Sequence, residues 1–275
     1  MKNYQRVLHL SVMMVFWAIA AAANAAPISF TGSYTENFDG LGVNGTAIPA
    51  GYSAMGISGN SATYLASNPI TSTAVASAYT SGTQTLTVWN PGGSGFKLQD
   101  SLANAGAIGN TADRALGTGP TGTGATAIQL AMTNGTGAAL PGISISYDMK
   151  VLANGTPKSG TTPIDESGEL PGYSFFYSTT GGTTATDWIP VTALSLNGYT
   201  LGQTYNGSAQ VNFASSVPSG ANVYLRWVDD NSDPISPDQT FAIDNVHVNS
   251  VPEPTGLAPL GLCSIAALRR RRQAN

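Results

Sequence analysis

Gly142-Ile143-Ser144-Ile145-Ser146-Tyr147-Asp148-Met149-Lys150-Val151 places an apolar side chain at every second position, with serine, aspartate and lysine between them. A period of two belongs to a strand that has one face on a core and the other toward water. The Asn154-Gly155 pair that follows is a turn signal, since both residues accept the left-handed backbone of a tight hairpin turn. The stretch predicts the strongest strand of the chain, in an antiparallel sheet with one solvated face.

Outward from it, the same signals recur. Before it lie a short apolar strand over residues 126–132 and a turn at Asn134-Gly135. After it, strands are expected over 173–177, 188–191, 210–213, 223–228 and 241–248, at the spacing of a β-sandwich. Toward the N-terminus, Asp113-Arg114-Ala115-Leu116 is the one ordered piece expected between Pro91 and Pro120, and residues 73–79 and 84–89 read as strands. Residues 41–62 are dense in glycine and proline and read as loop with one short strand. Ile28, Phe30, Tyr34 and Phe38 fall on even spacing before a turn at Asp39-Gly40. Asn-Gly pairs beginning at Asn44, Asn134, Asn154, Asn197 and Asn206 are all expected at turns, and a loop over 156–171, carrying Asp165, Glu166 and Glu169, is expected to project from the sandwich. No repeat of fixed period is present, which argues against a propeller or solenoid. The fold class expected is all-β, an antiparallel β-sandwich.

Both ends carry segments of a different kind. Lys2 and Arg6 precede an apolar stretch over 7–23, and Ala23-Asn24-Ala25 supplies the small residues signal peptidase requires. Residues 1–25 therefore read as a secretory signal helix, with an uncleaved membrane anchor as the competing reading. At the other end Val251-Pro252-Glu253-Pro254 leads into an apolar run over 255–268 and then Arg269, Arg270, Arg271 and Arg272. As a helix that run spans roughly 21 Å, short of the roughly 30 Å of hydrocarbon in a bilayer, so it is a marginal membrane helix. Arginine stems can snorkel, and the cationic flank stays on the cytoplasmic side. A buried amphipathic helix is the alternative, but no polar stripe at helical spacing supports it.

This tail resembles the PEP-CTERM sorting signal of exopolysaccharide-producing Gram-negative bacteria; related tails are also described as an ice-binding protein C-terminal region, and nothing in these residues points to ice. The resemblance implies that an exosortase-type membrane protease recognises Pro252, Glu253 and Pro254 and cuts nearby. The chain would pass transiently through the inner membrane and be released to the cell surface or the extracellular polysaccharide matrix. The domains expected are thus a signal peptide over 1–25, a sandwich over 26–250 and a sorting tail over 251–275.

What remains after both segments is roughly 225 residues, enough for one sizeable core. Of eleven Lys and Arg, Lys2, Arg6 and the four tail arginines fall in the targeting segments, which leaves an acidic body against fifteen Asp and Glu. Nucleic acid is excluded as a partner by that field; cations and neutral glycans fit it better. The single cysteine, Cys263, lies in the tail, so the body has neither disulfide nor thiol nucleophile. His247 is the body's one histidine, which excludes a multi-histidine zinc cluster. A two-carboxylate glycosidase remains the enzymatic reading, with Asp165 and Glu169, or Asp229 and Asp233, as its pairs. Trp89, Tyr173, Trp188 and Tyr199 could stack on sugar rings or pack a core. Arg114 and Arg226 are expected in structural ion pairs with neighbouring acids such as Asp229.

Glu36-Asn37-Phe38-Asp39 and the later Leu225-Arg226-Trp227-Val228-Asp229-Asp230 with Phe241-Ala242-Ile243-Asp244-Asn245-Val246 are together similar to jelly-roll modules of secreted adhesins, carbohydrate-binding modules and meprin-type adhesion domains. The resemblance implies a jelly-roll-like body whose first and last strands lie side by side, each giving an acid to a structural calcium site. Glu36, Asp39 and Asp244 are its candidate ligands here, and Asn245 stands where a second aspartate is common. Asp229, Asp230, Asp233 and Asp238 form a second acidic group. The plainer reading of both groups is acids that cap turns and face water. The function expected is noncatalytic and structural or adhesive, with a carbohydrate-binding module as the alternative and a secreted glycosidase as the third reading.

Overall fold

The computed structural model describes residues 25–41, 48–59, 63–64, 68–78, 87–88, 97–100, 113–120, 124–153, 172–198, 200–230 and 240–252. Its elements in chain order are β1 (Ile28–Phe30), β2 (Ser33–Glu36), β3 (Tyr52–Ile57), α1 (Ser72–Ala76), β4 (Thr87–Val88), β5 (Lys97–Asp100), β6 (Arg114–Thr118), β7 (Ala125–Asn134), β8 (Leu140–Ala153), β9 (Gly172–Ser178), β10 (Ile189–Pro190), β11 (Leu196–Asn197), β12 (Thr204–Val217), β13 (Asn222–Asp230) and β14 (Thr240–Ser250). Two sheets result. The first runs β1-β7-β13-β9-β10, with β3 on β7 and β11 on β9; the second runs β12-β8-β14-β6-β5-β4, with β2 on β14. All pairings are antiparallel except β1 with β7 and β4 with β5.

The alternating apolar side chains of residues 143–151 form the inner face of β8. Ile143, Ile145, Tyr147, Met149 and Val151 are all buried and meet Leu225, Trp227, Phe175 and Tyr173 of the first sheet in one core. Trp227, Phe175 and Tyr147 pack as edge-to-face or stacked rings 5.2 to 6.3 Å apart, the arrangement aromatic quadrupoles prefer. Tyr147 keeps its hydroxyl satisfied in this core by donating to the Leu194 carbonyl at 2.6 Å. The protein is thus an all-β sandwich; the last strand, β14, lies beside β2, while the first strand, β1, pairs with β7 in the other sheet.

A second, smaller core covers the outer face of the first sheet. Met55, Ile57, Ala125, Ala127, Phe176, Trp188 and Val228 pack there against Val75 and its neighbours on α1. Residues 73–79, expected as a strand, are in part this helix. Thr71 caps it by accepting from the Ala74 N–H at 3.4 Å, and the alanines at 74 and 76 bury without bulk.

The Asn-Gly pairs divide. Asn134 ends β7, but the left-handed residue of the connection is Gly137, with φ 79°, while the Asn134 side chain donates to Ala138 O and Val217 O. Asn206-Gly207 is not a turn at all: it lies within β12 opposite Asp148 and Tyr147. A Cβ on Gly207 would stand 3.0 Å from Tyr147 Cε1, so the glycine is there for close packing. Asn197 closes β11, and the pairs at Asn44 and Asn154 lie outside the described residues, as do the loop over 156–171, residues 1–24 and residues 253–275. Among the described residues no helix is long and apolar enough to cross a membrane.

Candidate functional site

β14 carries Asp244 and pairs with β8, β6 and β2, the last of which carries Glu36. Pairing runs in register from Phe241 opposite Val151 to Asp244 opposite Asp148, then slips, so that His247 is opposite Ser146. The slip is a bulge in which Asn245 takes a left-handed backbone, φ 48°, a conformation Asn tolerates better than most residues. The Asn245 amide donates to Asp148 Oδ2 at 2.8 Å, and Asn206 donates to Oδ1 of the same carboxylate at 2.5 Å. Asparagine at 245 therefore has a chemical reason: an aspartate would face Asp148 with a like charge.

Asp244, 1 % exposed, is held by Lys150 Nζ at 2.5 Å and by the Asn245 N–H at 2.7 Å. Asp113 approaches the same ammonium at 3.3 Å from a more exposed position. Burial pushes the Asp244 carboxyl up against the pull of Lys150. Burial alone would lower Lys150, yet the adjoining carboxylates of Asp244 and Asp113 hold it above the ordinary lysine range.

The three proposed calcium ligands are not brought together. Residues opposite one another in a sheet share a face. Glu36 stands opposite Val246, a core residue, whereas Asp244 stands opposite Asp148, on the outer face. Glu36 instead accepts from the Phe38 N–H at 2.7 Å, and Asp39 accepts from the Arg114 N–H at 2.8 Å and from the Asn37 amide at 2.7 Å. Among the described residues no three His, Cys, Asp or Glu side chains form a group fit for a metal ion. In the second acidic group, Asp229 accepts from the Thr118 hydroxyl at 2.5 Å, with the Tyr173 hydroxyl 2.8 Å from the same Thr118 oxygen; Asp233 and Asp238 lie outside the described residues.

Arg226 does not pair with Asp229, which occupies the opposite face of β13. Its Nε donates to Gln129 Oε1 at 2.8 Å, Nη1 donates to the Val75 carbonyl of α1, and the guanidinium lies 3.6 Å from the centroid of a Trp188 ring. Burial lowers its pKa from the usual guanidinium range. The site is a clamp that fastens α1 to the first sheet, and it takes Trp188 out of any sugar platform. Tyr173 is buried as well, and Trp89 and Tyr199 lie outside the described residues, as do Asp165 and Glu169.

Lys150, Asp148, Gln129 and Thr118 escaped the sequence reading. Lys150 carried a signal, being a basic residue in a chain with few, set two positions beyond Asp148 on the same strand face. Gln129 and Thr118 carried none, because their partners are distant in sequence.

No family model matches this chain, and no curated protein matches it. Solved structures similar to it include the carbohydrate-binding module TmCBM61 in complex with β-1,4-galactotriose, at 10% identity over 57% of this chain and 82% of that one, TM-score 0.32. The K2 adhesin domain of Lys-gingipain is 12% identical over 80% of this chain and 98% of its own, TM-score 0.34. A cyclase from Fischerella sp. TAU is 12% identical over 85% and 100%, TM-score 0.35. At these scores the likenesses carry no argument about what this chain binds or does.

Proposed function

We propose that this chain is a noncatalytic exported protein of the cell surface or exopolysaccharide matrix, with a structural or adhesive role, delivered there by its tail over residues 251–275. The observation that supports this reading is where the folded body stops. Ser250 is the last residue of β14 paired to β8, opposite Ile143; the Val251 N–H still donates to the Gly142 carbonyl at 3.1 Å, and Pro252 is exposed. A cut at Pro252, Glu253 or Pro254 leaves every strand and core side chain of the described residues in place. At the other end β1 begins at Ile28, so signal peptidase acting after Ala25 leaves both sheets entire. The apolar run over 255–268 holds the chain transiently in the inner membrane, with Arg269 to Arg272 on the cytoplasmic side, until an exosortase-type protease cuts.

The noncatalytic part of the proposal rests on how the buried polar groups are engaged. Asp244 is taken by Lys150, Asp229 by Thr118 and Arg226 by Gln129 and Val75, all structural bonds. In a matrix, polysaccharide would meet the outer side of β12, β8 and β14, where Asn206, Ser208, Ser146 and Asn249 present neutral donors and acceptors of the kind sugar hydroxyls use.

Intact mass and location of the protein in its own cells test this, with wild type compared against Pro252→Ala/Glu253→Ala/Pro254→Ala. The expected result is wild type outside the cell without its tail and the variant full-length in the inner membrane. Both remaining full-length in the membrane would make the tail an ordinary anchor and remove the proposal.

A further inference from the structure

β12 is the outermost strand of the second sheet and, among the described residues, pairs with β8 alone. An edge strand offers a row of backbone donors and acceptors to any other strand, so natural proteins blunt edges with lysine, proline, brevity or bulges. β12 has 14 residues, Thr-Tyr-Asn-Gly-Ser-Ala-Gln-Val-Asn-Phe-Ala-Ser-Ser-Val, with neither a charge nor a proline. Its one irregularity is the register shift between Asn212 and Val217, which leaves 204–212 straight along β8.

A second observation falls on the same side of the sandwich. The large hydrophobic side chains exposed among the described residues are Ile189, 38 %, and Leu201, 48 %. Ile189 is on β10, the outermost strand of the first sheet, and Leu201 is in the turn that enters β12. Between the two lie β11 and the 3-10 turn Thr192–Leu194, both packed on β12. An open neutral edge and the exposed apolar side chains thus share one flank.

We propose that this flank is an interface with a second copy of the chain, in which the two β12 strands pair antiparallel about a two-fold axis at Ser208. The strand is self-complementary in that register. On the inner side Tyr205 meets Val211 of the partner subunit and Gly207 meets Ala209 of the partner subunit, large with large and small with small. On the outer side Thr204 meets Asn212 of the partner subunit, Asn206 meets Gln210 of the partner subunit, and Ser208 meets its own counterpart. Aromatic with β-branched and amide with amide are favourable cross-strand pairs, and no like charges oppose them. Because the contact is isologous, it consumes both edges and closes at two copies. The proposal is independent of the tail's role.

Cysteine cross-linking of the full chain in mild detergent tests it, in a Cys263→Ser background. Ser208 is exposed, and a Ser208→Cys side chain would stand opposite itself across the axis, within reach of a disulfide. Oxidation is expected to give a covalent dimer with Ser208→Cys and none with Ser219→Cys, which lies in the connection from β12 to β13. Sedimentation of the protein with its native Ser208 is expected to give twice the monomer mass, and Ser208→Lys, which sets two ammonium groups face to face, to give the monomer mass with an unchanged circular dichroism spectrum. A monomer mass for the native-Ser208 protein, equal cross-linking from both cysteines, or a dimer untouched by Ser208→Lys would each overturn the proposal.

Discussion

Lys150 Nζ and Asp244 Oδ2 lie 2.5 Å apart on adjacent strands, with side chains 8 % and 1 % exposed. An ion pair this deep is held by geometry, since each charge has left water and depends on the other. Replacing Lys150 by Met strands the Asp244 carboxylate and is expected to cost about 3–5 kcal/mol. Lys150→Met/Asp244→Leu removes both charges and is expected to recover most of that loss. Urea unfolding of the two variants checks it; a double variant no better than the single one would mean the pair is not the unit that matters.

Alkaline pH is expected to unfold this protein steeply. Burial raises the hydroxyls of Tyr52, Tyr147 and Tyr173, and the Asp229 carboxylate raises Tyr173 further. Lys150 is also raised, by its carboxylate partners against the effect of burial. For a group raised on folding, the stability it contributes is whole below its unfolded value, 10.0 for tyrosine and 10.5 for lysine, and is lost as pH rises through the folded value. Melting temperature should therefore be insensitive to these groups up to about pH 9 and fall above about pH 10. Tyr147→Phe should flatten the fall, at a cost of about 1 kcal/mol at neutral pH for the lost bond to Leu194. A thermal melt series against pH reads both effects.

Strands whose one face is core were legible from residue order. Ile143 to Val151 alternates because β8 is half-buried; residues 223–228 and 241–248 were placed within β13 and β14 by their spacing along the chain, although 225–228 and 241–244 are buried on both faces. Where both faces are covered the pattern fails. The stretch 73–79 is short and rich in small side chains, so the helix was marked only by the Thr71 cap, the alanines and the exposed pair Thr73 and Ser77 four positions apart; it covers the outer face of the first sheet. Asn206-Gly207 misled for a tertiary reason, since Gly207 accommodates the Tyr147 ring. The acids were found, but their grouping was not, because it depends on a one-residue slip in β14 that sends Asp244 to the outer face and leaves Glu36 on the inner side.

Arg226 should prove the fastening of α1. Its guanidinium reaches the Val75 carbonyl, Gln129 and the Trp188 ring together, which a lysine cannot do with a single compact ammonium. Arg226→Lys and Arg226→Met are both expected to destabilise by about 2–4 kcal/mol, from the lost stacking and hydrogen bonds. Hydrogen exchange separates this from general loosening. The amides of Val75 and Ser77, bonded to Thr71 and Thr73, should lose protection before those of β8. Equal loss in both would show that the helix is held by apolar packing alone.

The bulge at Asn245 offers a test in which backbone and charge give opposite orders. On backbone grounds Asn245→Gly should be nearly neutral, because φ 48° suits glycine, while Asn245→Val should cost about 1–2 kcal/mol in the left-handed region. On charge grounds Asn245→Asp should also cost about 1–2 kcal/mol at neutral pH, since it exchanges a donor to Asp148 for a carboxylate beside Asp148 and near Asp244. That variant, unlike the natural chain, would gather acids on one face at one place, so millimolar calcium should raise its urea midpoint and leave Asn245→Gly unmoved. Glu36, on the inner side of the sheet, should have no part in the response, and Glu36→Gln added to Asn245→Asp should leave the calcium effect intact. An Asn245→Asp protein as stable as the natural one without calcium would show that the amides of Asn206 and Asn245 are not what holds Asp148 in place.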